Sequence, residues 1–170
     1  MKRYPKTPLC FLFLFFLSIN FFLGGCSQID KSVQIINDNA VDSINKDFYN
    51  KNYVNGAYYS DNVVFDDPEY PTTRTLIIHS MDEYKEIFTS TKDSAVDFQN
   101  QMIVVYSFAD INKRTIEIKK ISTSEDSINI VLAHKKVSSG IGDTCIPYQR
   151  YVVIKMNKNG FNDIKVSLED

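Results

Sequence analysis

Hydrophobic positions divide the chain into an apolar opening, a polar stretch and a long run of alternating segments. Residues 9–17 are unbroken in Leu, Cys and Phe, and after Ser18-Ile19-Asn20 the run resumes with Phe21-Phe22-Leu23. Lys2, Arg3 and Lys6 precede it, and the first 25 residues hold no acidic side chain. A basic start, an apolar core and small residues at its end predict a secretory signal peptide over 1–25. Asn20 interrupts the run short of the roughly 20 apolar residues that a membrane-spanning helix requires.

From Ser27 to about Lys51 the chain is rich in Asn, Asp, Ser and Lys. Val33, Ile36, Ala40, Val41, Ile44 and Phe48 recur in it every three to four residues, the spacing of one helix face. Asn and Asp are poor helix formers. A polar tether whose last part packs on the domain fits the same pattern, so residues 26–51 are expected to be a tether, partly helical or not.

Beyond residue 52 the rhythm becomes that of strands. Asn55-Gly56 between aromatic and aliphatic residues predicts a hairpin turn, and Val63-Val64-Phe65 a short strand. Pro68 and Pro71 end that strand, because neither can donate to a central ladder. Thr73 to His79 predicts another strand. Ser80 stands three residues before Glu83, a capping-box spacing, and Met81, Tyr84, Ile87 and Phe88 follow at helical intervals; a helix from Asp82 to about Thr89 is expected. Met102 to Tyr106 is continuously apolar, as in a central strand buried on both faces. Thr115–Ile121, Ser127–His134 and Gln149–Met156 alternate with period two, and Asn159-Gly160 turns the chain into a last strand, Phe161–Leu168. The pattern predicts a mainly β, α+β fold: a small antiparallel sandwich or bent sheet with one short helix, forming a single globular domain over 52–170.

The apolar opening ends in Leu23-Gly24-Gly25-Cys26. These four residues resemble the lipobox of bacterial lipoproteins, with Gly24 where alanine or serine is commoner. The resemblance implies cleavage before Cys26 and lipid attachment to its thiol. It also implies a domain outside the cytoplasm, anchored to the cell membrane or outer membrane. Removing residues 1–25 takes away three cations and no anion, so the formal charge moves from −2 to −5. No basic block remains to serve nucleic acid or anionic lipid. Acyl chains at about 0.8 kcal/mol per buried CH₂ must then anchor the protein unaided.

Candidate chemistry is sparse. His79 and His134 fall at strand ends without partners at metal-ligand spacing, so neither metal nor cofactor is expected. Cys145 is the one thiol left once Cys10 is removed and Cys26 lipidated, which excludes an internal disulfide. It lies in Gly140-Ile141-Gly142-Asp143-Thr144-Cys145-Ile146-Pro147, and a nucleophilic role would need a base such as His134. A buried structural cysteine is the favoured reading, and the 138–147 loop is the best candidate for contacts. Asp66, Asp67 and Glu69 lack the alternation of a calcium loop, and Glu125-Asp126 is likewise a solvated turn. Tyr49, Tyr53, Tyr58, Tyr59 and Tyr70 form either a contact surface or, more in keeping with the pattern, a cover on one sheet edge. No nucleophile elbow, phosphate loop or dinucleotide fingerprint occurs.

Val96-Asp97-Phe98 leading into Met102-Ile103-Val104-Val105, the preceding helix, and the Pro147 approach to Tyr151-Val152-Val153-Ile154-Lys155 are similar in order to the lipoproteins of the protease complex subunit PrcB family. The likeness covers about residues 76–156. It departs at Asp110-Ile111-Asn112-Lys113, where that family tends to carry a glycine pair. It implies a non-catalytic accessory role and transfers no site residue. The expectation is therefore a membrane-anchored binding or accessory module that contacts another envelope or surface protein. The alternatives are a small thiol-dependent hydrolase and a small-molecule or ion carrier.

Overall fold

A computed structural model describes residues 32–59, 62–63, 69–89, 96–136, 144, 146–158 and 160–169. Two long strands lie at its centre, β5 (Gln101–Asp110) and β8 (Tyr148–Asn157), with β1–β4, β6, β7 and β9 named below in chain order. They pair antiparallel over ten positions, from Gln101 opposite Asn157 to Asp110 opposite Tyr148. Their apolar runs suit this place, since both faces are covered and neither can alternate with polar residues.

β4 (Thr73–Ile78) lies antiparallel on the outer side of β5, with Thr73 opposite Phe108 and Ile78 opposite Ile103. Along the far side of β8 run β1 (Gln34–Asn37), antiparallel, and β2 (Tyr58–Tyr59), parallel; β3 (Asn62–Val63) pairs with β2. A second sheet holds β6 (Ile116–Thr123), β7 (Ser127–His134) and β9 (Asp163–Glu169). β6 and β7 are antiparallel with a bulge between Ile118 and Lys120, and β7 and β9 are parallel.

Period-two alternation sorts the core into two layers. Met102, Val104, Tyr106 and Phe108 join Val152, Ile154 and Met156 against Ile128, Ile130 and Leu132 of the second sheet. Ile103, Val105, Tyr151 and Val153 face the other way, onto α2 (Met81–Ile87), Phe88, Ala40 and Ile44. At about 25 cal/mol per Å², burying each of these large aliphatic side chains contributes roughly 1.5–3 kcal/mol. The fold class is the one expected: mainly β, two packed sheets and short helices.

Four local expectations change. The segment read as tether belongs to the domain from Val33 onward, because Val33 is buried between the sheets while Ala40 and Ile44 enter the helical layer. Its helical face is broken into β1, a 3-10 turn at Val41–Ser43 and α1 (Lys46–Lys51), capped by the Asn45 side chain. Asn55-Gly56 does form a turn, with the Ala57 N–H donating to the Val54 carbonyl and Gly56 at φ +85. It is not a hairpin, since β2 pairs with β3 and β8 rather than with the preceding residues. β9 likewise does not fold back on β8 but crosses to the second sheet. Val64, Phe65 and Asn159 lie outside the described residues.

Candidate functional site

The apolar layer between the sheets ends in charge. The parity that points Phe108 and Val152 inward continues to Asp110 and Arg150, and that of Leu132 continues to His134. Asp110 is 9% exposed and Arg150 2%. Asp110 Oδ2 accepts from Arg150 Nη1 at 3.0 Å and is paired with His134 Nε2 at 2.9 Å, while Oδ1 accepts from the Asn112 N–H at 2.7 Å. Carboxylate, guanidinium and imidazole thus close one end of the sandwich.

Arg150 also binds backbone. Nη1 donates to the carbonyls of Asn112 and Arg114 at 2.9 and 3.0 Å, and Nη2 to that of Asp38 at 2.9 Å. One side chain therefore ties the end of β1 and the β5–β6 connection to β8. The guanidinium lies 5.8 Å from the centre of the Phe108 ring, and Nε is buried without a partner. Tyr148 donates to the Asn112 carbonyl at 3.2 Å. Burial pushes its phenol above the usual range, opposed by the Arg150 charge.

Beside this cluster opens a groove of about 790 Å³ between the 110–114 connection and the ends of β6 and β7. Arg114, Lys119, Lys135 and Lys136 line it against two carboxylates, Asp110 and Glu117. Asp110 is already matched by Arg150, and Lys119 is held by Glu169 in an exposed pair. Arg114 Nε is buried with no acceptor.

His134 thus has a carboxylate partner 24 residues away, which sequence spacing did not reveal. His79 is exposed at the opposite end of the sheet, where its N–H donates to Glu83 and its carbonyl accepts from Lys158. Glu69, Glu125 and Asp126 are exposed turn residues. Tyr53 stacks on Tyr70 with ring centres 3.9 Å apart, and Tyr49 meets Tyr151 at 5.9 Å in the helical layer. Cys26, Asp66, Asp67, Cys145 and most of the 138–147 loop lie outside the described residues. Thr144 is described, and both its N–H and its hydroxyl donate to the Ile111 carbonyl. Among the described residues no group of three or more His, Cys, Asp or Glu side chains could hold a metal ion, and no helix is long and apolar enough to cross a membrane. No family model, curated protein or solved structure matches the chain.

Asp110 and Arg150 do not stand out in the sequence, for different reasons. Asp110 stands beside Asn112 and looks like a turn residue. Arg150 has inward parity in an apolar strand, and that was the available signal: a charge at a core position implies a buried partner.

Proposed function

We propose that this chain is a bacterial lipoprotein, anchored through lipid on Cys26, whose domain binds another protein of the envelope rather than catalysing a reaction. The lipobox Leu23-Gly24-Gly25-Cys26, placed directly after an apolar run, carries the reading. The accessory role is also what the likeness to the PrcB family implies. Two features of the fold support it. The buried Asp110–Arg150 pair spends its hydrogen bonds on fastening strands and connections, as a structural cluster does. The groove next to it offers charge and apolar surface on a rigid frame, as a binding site does.

Intact-mass spectrometry of the purified product tests the anchor. A diacylglyceryl-modified Cys26 at the N-terminus is the expected result, and an unmodified cysteine with residues 1–25 still attached would defeat it. The second reading, a thiol hydrolase, has one observation in its favour. Asp110 orients His134, and Thr144, the neighbour of Cys145, is fastened to Ile111, the neighbour of Asp110. A thiol that resists alkylation in the folded protein, with Cys145→Ala causing no phenotype, removes that reading.

A further inference from the structure

The groove is cationic in an acidic protein. The whole chain has a formal charge of −2, yet four cations and two carboxylates line this one concavity. Among the described residues no ion pair engages Arg114, Lys135 or Lys136, and Lys135 and Lys136 are exposed. Charge concentrated in a concave wall focuses its field on an approaching ligand. Arg114 is half-buried, with its Nε enclosed and without an acceptor among the described residues, so the two exposed lysines present most of the groove's charge.

Apolar surface accompanies the charge. Three large hydrophobic residues are exposed among those described: Ile77, Ile111 and Ile146. One of them, Ile111, lines the groove, and its carbonyl accepts from the Thr144 N–H, with the Thr144 hydroxyl within reach of it as well. A polyphosphate would satisfy the lysines and leave Ile111 in water. A peptide with carboxylates around an aliphatic side chain would use both kinds of surface.

We infer that the groove docks an acidic segment of a partner protein. Its carboxylates sit over Arg114, Lys135 and Lys136, and an apolar side chain covers Ile111. The inference rests on the accessory reading and names the partner's chemistry. Glu117 at the rim repels the ligand and restricts where a carboxylate can lie.

The test uses the full mature lipoprotein in non-ionic detergent and a fluorescent synthetic peptide with glutamates flanking one leucine, read by anisotropy. Binding is expected. It should weaken about tenfold or more in Lys135→Glu/Lys136→Glu, as for like-charge juxtaposition at an interface. It should also weaken as salt rises from about 0.05 to about 0.5 M, where screening shortens the reach of exposed charge. Ile111→Ser should reduce affinity for the peptide. No binding, equal binding of the peptide with glutamine in place of glutamate, or an undiminished double variant would overturn the inference. So would inorganic polyphosphate binding as tightly as the peptide. Because both altered lysines are exposed, an unchanged melting temperature confirms folding. The mass at Cys26, read on the same preparation, separates the two ideas: a lipidated protein that ignores the peptide refutes the groove alone, and an unlipidated one that binds it refutes the anchor alone.

Discussion

Arg150 gathers four hydrogen bonds at one buried guanidinium. Six charge-assisted or carbonyl contacts meet at Asp110 and this guanidinium, and removing one partner strands the other. Arg150→Met should cost about 3–5 kcal/mol, the range for uncompensated buried charge. Asp110→Leu added to it should recover part of that loss, because no buried carboxylate then remains. A double-mutant cycle by urea unfolding checks this, and strictly additive losses would show that the pair is not coupled. Tyr106 offers a second test. Desolvation raises its phenol above the usual tyrosine range, against hydrogen bonds from Thr73 and Leu168 that lower it. The folded state therefore keeps a proton that the unfolded state releases, so its stabilisation is complete below pH 10 and lost as pH rises through the folded value. Denaturant midpoints should fall on the alkaline side, and less steeply in Tyr106→Phe.

Elements differ in how much of them local sequence dictates. The helix α2 starts where its cap requires: Ser80 Oγ accepts from the Glu83 N–H at 3.2 Å, and Glu83 returns to the His79 N–H at 2.7 Å. That second arm reaches one residue further back than a standard capping box. Ser80→Ala should destabilise the protein by about 1 kcal/mol; a thermal shift below the noise would mean that packing of Tyr84 and Ile87 alone sets the helix. β5, β6, β7 and β8 were legible because period-two and continuous apolar runs follow directly from one-sided or two-sided burial. Pairing was not. β1 is four residues, Gln-Ile-Ile-Asn, and acquires its conformation from Lys155, Ile154 and Val153 across the ladder. The parallel partner of β7 is β9, with β8 of the other sheet between them in sequence. Asn55-Gly56 specified a turn but could not specify which strand came next. The candidate site failed to appear for the same reason, since Asp110, His134 and Arg150 meet only once two sheets are stacked.

At the scale of the whole molecule, the early start of the domain would set its posture on the proposed anchor. Six residues separate Cys26 from Val33, the first core side chain among the described residues, and the seven Cα–Cα steps reach at most about 25 Å when fully extended. β1 begins opposite Lys155 and runs toward the Arg150 end. Tyr148 lies seven residues further along β8 from Lys155, or about 23 Å at strand rise. Laying the groove on the bilayer would require the tether to double back along almost its full length, with nearly all of its conformational freedom lost. The opposite arrangement asks nothing of it: with the proposed anchor in place, the Gln99–Gln101 end would rest near lipid and the groove would point outward, where the proposed acidic segment could reach it. Single cysteines at Gln99 and Lys136, in a Cys145→Ser background reconstituted into vesicles, report this directly. A fluorophore at residue 99 should be quenched strongly by lipid-borne quencher and one at residue 136 weakly. Equal quenching would mean that the short connection does not orient the domain. Stronger quenching at 136 would turn the cationic groove toward lipid and leave the partner segment no access to it.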